Sequence, residues 1–157
     1  MIIAWIAREI FNSIIKKKEI KYSEASKTTI DMVKRIYAEL PVMEKLVQDF
    51  YYTHRPVGFD PPSIDPYDAS RKIGSFCEMV VGTRVFMPDS ISNNLNEICE
   101  TLNTIVDNLG MRELTSEDED YERKNEYEER AQKLLISKLP ELSKQIETEF
   151  REYLGTD

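Results

Sequence analysis

Residue types able to do chemistry are few in this chain, and they are scattered. His54 is the single histidine; Arg55 follows it, and Asp60 lies a little further on, all inside the proline-rich stretch THRPVGFDPPSIDP. An imidazole placed there would serve as a general base or a pH switch. That work needs a positioned nucleophile and an orienting partner, and the sequence supplies neither, so His54 is expected to be a polar residue at a loop tip. The run from Glu117 to Arg130 sets eight acids against three bases. It lacks the central glycine of a calcium loop and reads as a solvated helix face, with a divalent cation or a basic partner as the sharper alternative. A di-metal bundle core would need two Glu-x-x-His motifs, which one histidine cannot provide. No catalytic residue, cofactor or metal ligand is therefore expected, and the protein is read as non-enzymatic.

Arg84, in the otherwise apolar stretch CEMVVGTRVF, is expected either to form a buried salt bridge with a glutamate on a neighbouring helix or to hold an anion. Cys77 and Cys99 fall in separate apolar stretches, and each reads as a small buried hydrophobe with no disulfide framework implied. With no small-residue cleavage site after a leader, a reducing cytoplasm is the expected setting.

These residues must be carried by helices. Glycine is scarce, at 5 residues of 157, and the apolar residues recur at three- and four-residue steps, which predicts an all-α antiparallel helical bundle or elongated helical hairpin of about five segments. Residues 1–22 read as an N-terminal amphipathic helix, and 23–157 as the bundle, the whole forming one domain. The long pattern from Ser23 to about Tyr52 is interrupted by Pro41, which predicts a kink or short break near Leu40. Asp65 and Pro66 open the next helix, through about Phe86, with Ile73, Phe76, Cys77, Val80 and Val81 inward. Pro88 sits at a first-turn position of a helix carrying Ile91, Leu95, Ile98, Leu102, Ile105 and Leu109 and stopping at Gly110. Ser116 and Glu119 form a capping box for the last helix, where Pro140 threatens a second kink.

The middle of the chain resembles a loose set of uncharacterised bacterial all-helical hairpin proteins. The resemblance lies in DFYYTHRPVG, GTRVFMPDS and ISNNLNEICETLN, within residues 25 to 109. Many members have an apolar or transmembrane N-terminus, then basic residues and a long helix. It implies a fold and a tether, and no functional residue comes with it.

The opening MIIAWIAREIFNSIIKKK holds the strongest functional signal. Residues 2–15 are too short for a span, which needs about 20 apolar residues, and they include Arg8, Glu9, Asn12 and Ser13. Ile3, Trp5, Ile6, Ile10, Phe11 and Ile14 form an apolar arc followed by Lys16, Lys17 and Lys18. Three covers fit such an arc: the protein's own last helix, a second copy, or anionic lipid. Tyr51, Tyr52, His54, Arg55 and Phe59 make an aromatic tip that either docks a protein or plugs the bundle end. With a net charge of −8, nucleic acid is not an expected partner. The leading expectation is a scaffold or accessory protein, cytoplasmic and homo-oligomeric, with an unidentified protein partner. The alternatives are a peripheral tether at the inner membrane face and an acidic inhibitor that mimics nucleic acid.

Overall fold

The computed structural model describes the backbone of residues 2–53, 64–115 and 121–154, and the side chains of residues 27–53, 64–115 and 121–153. Within these the chain is all-α, with no strand. Helix α1 spans Ile2–Tyr52, α2 Pro66–Thr83 with a 3-10 turn at Arg84–Phe86, and α3 Asp89–Leu114. Helix α4, Tyr121–Lys133, continues through a wide π turn at Leu134–Lys138 into α5, Leu139–Leu154. The architecture is a bundle of four helical rods, one fewer than the sequence suggests, because the first two predicted segments are one helix.

Pro41 lies inside α1 without breaking it. Leu40 and Met43 are buried while Pro41 is exposed. The missing N–H and the crowded carbonyl thus fall on the wet side, where solvent replaces the lost hydrogen bond, and the apolar row Val33, Ile36, Leu40, Met43, Val47 and Phe50 holds the helix to the core. Pro140 is met differently. The π turn stands just before it, and the Leu139 N–H reaches back to the Leu134 carbonyl, which widens the helix where the proline ring needs room.

Asp65 caps α2 as expected, its carboxylate accepting from the Tyr67 N–H at 3.0 Å with Pro66 at the first helical position. Pro88 proves to be the N-cap of α3 rather than a first-turn residue. Gly110 does not end α3, which runs on to Leu114 because Arg112 in its last turn is buried and anchored. Val81, predicted inward, is 64% exposed. The capping box at Ser116 and Glu119 lies outside the described residues.

Helix α3 is central: it packs against α1, α2, α4 and α5. All six apolar positions predicted on it are buried, and they meet Ile73, Phe76 and Val80 of α2 and Leu135, Leu139, Leu142, Ile146 and Phe150 of the last rod. Each such side chain contributes about 1.5–3 kcal/mol on leaving water, so this row dominates the stability of the fold.

The register of the helices fixes where the bundle stops. Arg112 of α3 reaches the Tyr51 carbonyl of α1, so these two helices run parallel, and an offset of 61 puts Asp89 beside Thr28. Helix α5 runs antiparallel to α1, with Tyr37 opposite Glu147 and Glu44 opposite Ser143, which puts Leu154 beside Val33. By both measures the base of the bundle lies near residues 28–33.

Candidate functional site

Of the predicted interaction residues, Ile3, Trp5, Ile6, Ile10, Phe11, Ile14, Lys16, Lys17 and Lys18 lie within α1, and their side chains are outside the described residues. His54, Arg55 and Phe59 also fall outside. Tyr51 and Tyr52 are described, and the two neighbours differ. Tyr51 is 1% exposed and plugs the upper end of the core, whereas Tyr52 is 54% exposed with its ring edge-on to Tyr51 at 5.1 Å. Tyr51 is therefore a core residue rather than a free docking side chain.

Beneath Tyr51 is a buried polar contact that the sequence reading missed. The Arg112 guanidinium, 3% exposed, donates to Glu113 Oε1 from Nε at 3.0 Å and from Nη2 at 2.8 Å, and from Nη1 to the Tyr51 carbonyl at 3.4 Å. It binds the C-terminal end of α1 to that of α3, where an arginine also complements the negative helix ends. Arg84 has the reverse fate. It is exposed, and it is its backbone carbonyl that works, accepting from Ser92 Oγ and the Met87 N–H, each at 3.4 Å.

Between α1 and α2 runs an open groove of about 610 Å³. Met43 and Phe76 form its apolar floor and Met79 a wall, and its polar rim carries Arg35, Arg71 and Lys72 against Glu39. Arg71 is already paired with Asp68 at 2.8 Å. In a chain of net charge −8 this is a local excess of positive charge over apolar surface, able to receive a carboxylate on an apolar segment.

A second arrangement joins α2 to α3. Asn103 Nδ2 donates to Cys77 Sγ at 3.7 Å, and Cys99 lies one turn before Asn103 on α3. The hydrogen bond from Cys99, with that from Asn103, holds the Cys77 thiol below its ordinary value against the opposing effect of partial burial. Donation to Cys77 and burial push the Cys99 thiol up. Read separately, the two cysteines are small hydrophobes. Asn103 and Cys77 meet because each lies on the face its helix turns to the other, information that exists only once α2 and α3 are paired.

Among the described residues no group of three or more His, Cys, Asp or Glu side chains is placed to hold a metal ion. No described helix is long and apolar enough to cross a membrane. In comparisons with known proteins, no family model, curated protein or solved structure matches this chain. What the fold defines is a class: an up-and-down helical bundle with one helix much longer than the rest.

Proposed function

We propose that the protein is a non-enzymatic helical scaffold or accessory protein that works by binding other protein chains, its own copies included, through the N-terminal part of α1. The observation that carries this reading is the register. Helix α3 begins and α5 ends beside α1 residues 28–33, so about 25 residues of α1, roughly 37 Å of helix, have no partner helix alongside them among the described residues. This register supports a cover other than the protein's own last helix for the opening apolar arc.

Sequence pattern supports the same reading. Counted back from Val33 in alternating steps of four and three, the core-facing line of α1 passes through Thr29, Ser26, Tyr22, Glu19, Ile15, Asn12 and Arg8. It turns polar where the bundle ends. The arc of Ile3, Ile6, Ile10 and Ile14 lies off that line, as a surface meant for a different neighbour would. At the base of the bundle Val85 is 83% and Val81 64% exposed, adding apolar surface at the end from which this part of α1 extends.

The test is mass in solution, measured on the full chain and on an Ile6→Glu, Ile10→Glu variant. The full chain is expected above monomer mass and the variant at monomer mass with unchanged helicity. A full chain that is monomeric, and that crosslinking leaves single, overturns the proposal. The cluster Lys16, Lys17, Lys18 and Lys21 favours a second reading, contact with an anionic membrane surface. Flotation with phosphatidylglycerol vesicles, lost in the same variant and at high salt, would support that reading in place of self-association.

A further inference from the structure

The period of α1 puts the opening apolar arc and the groove beside α2 on one edge of the helix. Ile6, Ile10 and Ile14 stand 29 positions before Arg35, Glu39 and Met43, which border that groove. Twenty-nine residues are about eight whole turns at 3.6 residues per turn, so arc and groove face the same way along one continuous helix. Helix α2 ends at Thr83, a short turn before α3 begins beside Thr28, so it lines this edge only above the base of the bundle. Below the base, the arc lies where α2 would continue. The groove has Met43 and Phe76 as its buried floor, with Met79 and Val42, the latter 55% exposed, as walls.

We propose, resting on the self-association read above, that the groove receives the opening arc of a second copy. Two chains pair antiparallel about a two-fold axis beside Glu24 and Ala25, and each lays its residues 3–14 against α1 and α2 of the other. In this register Ile6 is level with the partner's Met43, Ile10 with the partner's Glu39 and Ile14 with the partner's Arg35. Both apolar surfaces of each chain are filled, and the assembly closes at two copies.

Charge favours this orientation. A parallel pair would set Lys16, Lys17 and Lys18 of the two chains against each other, whereas the antiparallel register parts them and brings Lys17 level with Met32, next to the exposed Asp31. Arg8 comes two residues before Ile10, about 160° round the helix, so it points no charge at the basic rim of the groove. Area favours it too, since stable dimers bury about 1,600 Å². One arc laid on another would engage only about 18 Å of helix, while this pairing runs from residue 3 to residue 46, about 65 Å. The two bundles then stand base to base about 10 Å apart, and Val85 and Phe86, exposed at each base, gain a neighbour.

The experiment places the photo-crosslinker p-benzoylphenylalanine at Val42 of the full-length chain and irradiates a mixture of isotopically light and heavy copies. A crosslinked dimer is expected, with position 42 of one isotope joined to residues 3–14 of the other. The same reporter at Asp107, exposed on α3, should join nothing. Val42→Lys should raise the dissociation constant of the dimer at least about tenfold with unchanged helicity. A dimer that crosslinks between arcs from a reporter at Ala7, and not from Val42, overturns the arrangement while self-association stands, as does a Val42→Lys chain that pairs as tightly as the native one. A chain that stays monomeric, in solution or on phosphatidylglycerol vesicles, overturns both.

Discussion

Arg112 Nη1 donates to the backbone carbonyl of Tyr51 across 3.4 Å and 61 residues of sequence, so the last turn of α3 satisfies the last turn of α1. The same guanidinium is paired with Glu113, and because Arg112 is 3% and Glu113 23% exposed the two partners are unequal. Removing the carboxylate leaves a buried cation without its counter-charge; removing the cation leaves a carboxylate that water still reaches. Glu113→Ala is therefore expected to cost about 2–3 kcal/mol, and Arg112→Met, which refills the space with apolar atoms, less than half as much. Urea unfolding of the two variants checks the order, and a larger loss in Arg112→Met would refute it.

Phe150 and Tyr37 meet edge to face at 6.1 Å where α5 crosses α1, with Phe150 1% and Tyr37 42% exposed. Phe150→Ala should cost about 3–5 kcal/mol, the price of a cavity at a site that cannot collapse. Tyr37→Phe keeps the ring and gives up only the 3.3 Å hydrogen bond from its hydroxyl to Glu147, at an exposed site. Its effect should stay within about 0.5 kcal/mol. Thermal unfolding of both variants separates the two outcomes.

Pro41 is tolerated rather than needed. Alanine at that exposed position restores an N–H for the Tyr37 carbonyl and relieves the ring, so Pro41→Ala should stabilise the bundle by about 1–3 kcal/mol. The expected sign is a higher urea midpoint with unchanged slope. A lower midpoint would mean that the proline sets a bend on which the packing of α1 depends.

Lys138, at the end of the π turn, is tied to Glu97 of α3. The hydrogen bond to that carboxylate, and then its charge, hold the ammonium above its ordinary value of 10.5. A folded-state pKa raised above the unfolded one gives stability that is fully present below the unfolded value and is lost as pH rises through the folded value. The native chain should therefore keep this increment up to about pH 10.5, the unfolded lysine value, and lose it as pH rises further, a loss that Glu97→Gln abolishes. Equal alkaline losses in both proteins would show that the pair does not reach from the π turn to α3 in solution.

Much of the fold is legible in the sequence because it is local. The row from Ile91 to Leu109 states the face of α3 outright, and Asp65 with Pro66 states the start of α2. The illegible features are those decided by a neighbour. Pro41 reads as a break until Leu40 and Met43 are seen to be held by the core, and Gly110 reads as a stop until Arg112 is seen to be anchored. Val81, in phase with Cys77, ends outside because α2 packs chiefly against α1 and α3 among the described residues and turns that edge away from both. The candidate sites divide in the same way. The opening apolar arc is visible in residue types alone, whereas the contact of Asn103 with Cys77 depends on which turn of α2 faces which turn of α3.

The wide turn at Leu134–Lys138 also bears on how this chain tolerates changes of length. A π turn holds one residue more than an α-helix needs to join the same two faces. Deleting a single residue there, Ser137 for example, would let the rod close into a regular helix with Ala131 above and Leu142 below still turned toward α3. The same deletion between Leu142 and Phe150 would swing the rest of α5 by about 100° and carry Ile146 and Phe150 out of the core. The last helix thus has one place where its length is negotiable, and it lies where the highly charged upper half of the rod gives way to the lower half that carries the core row.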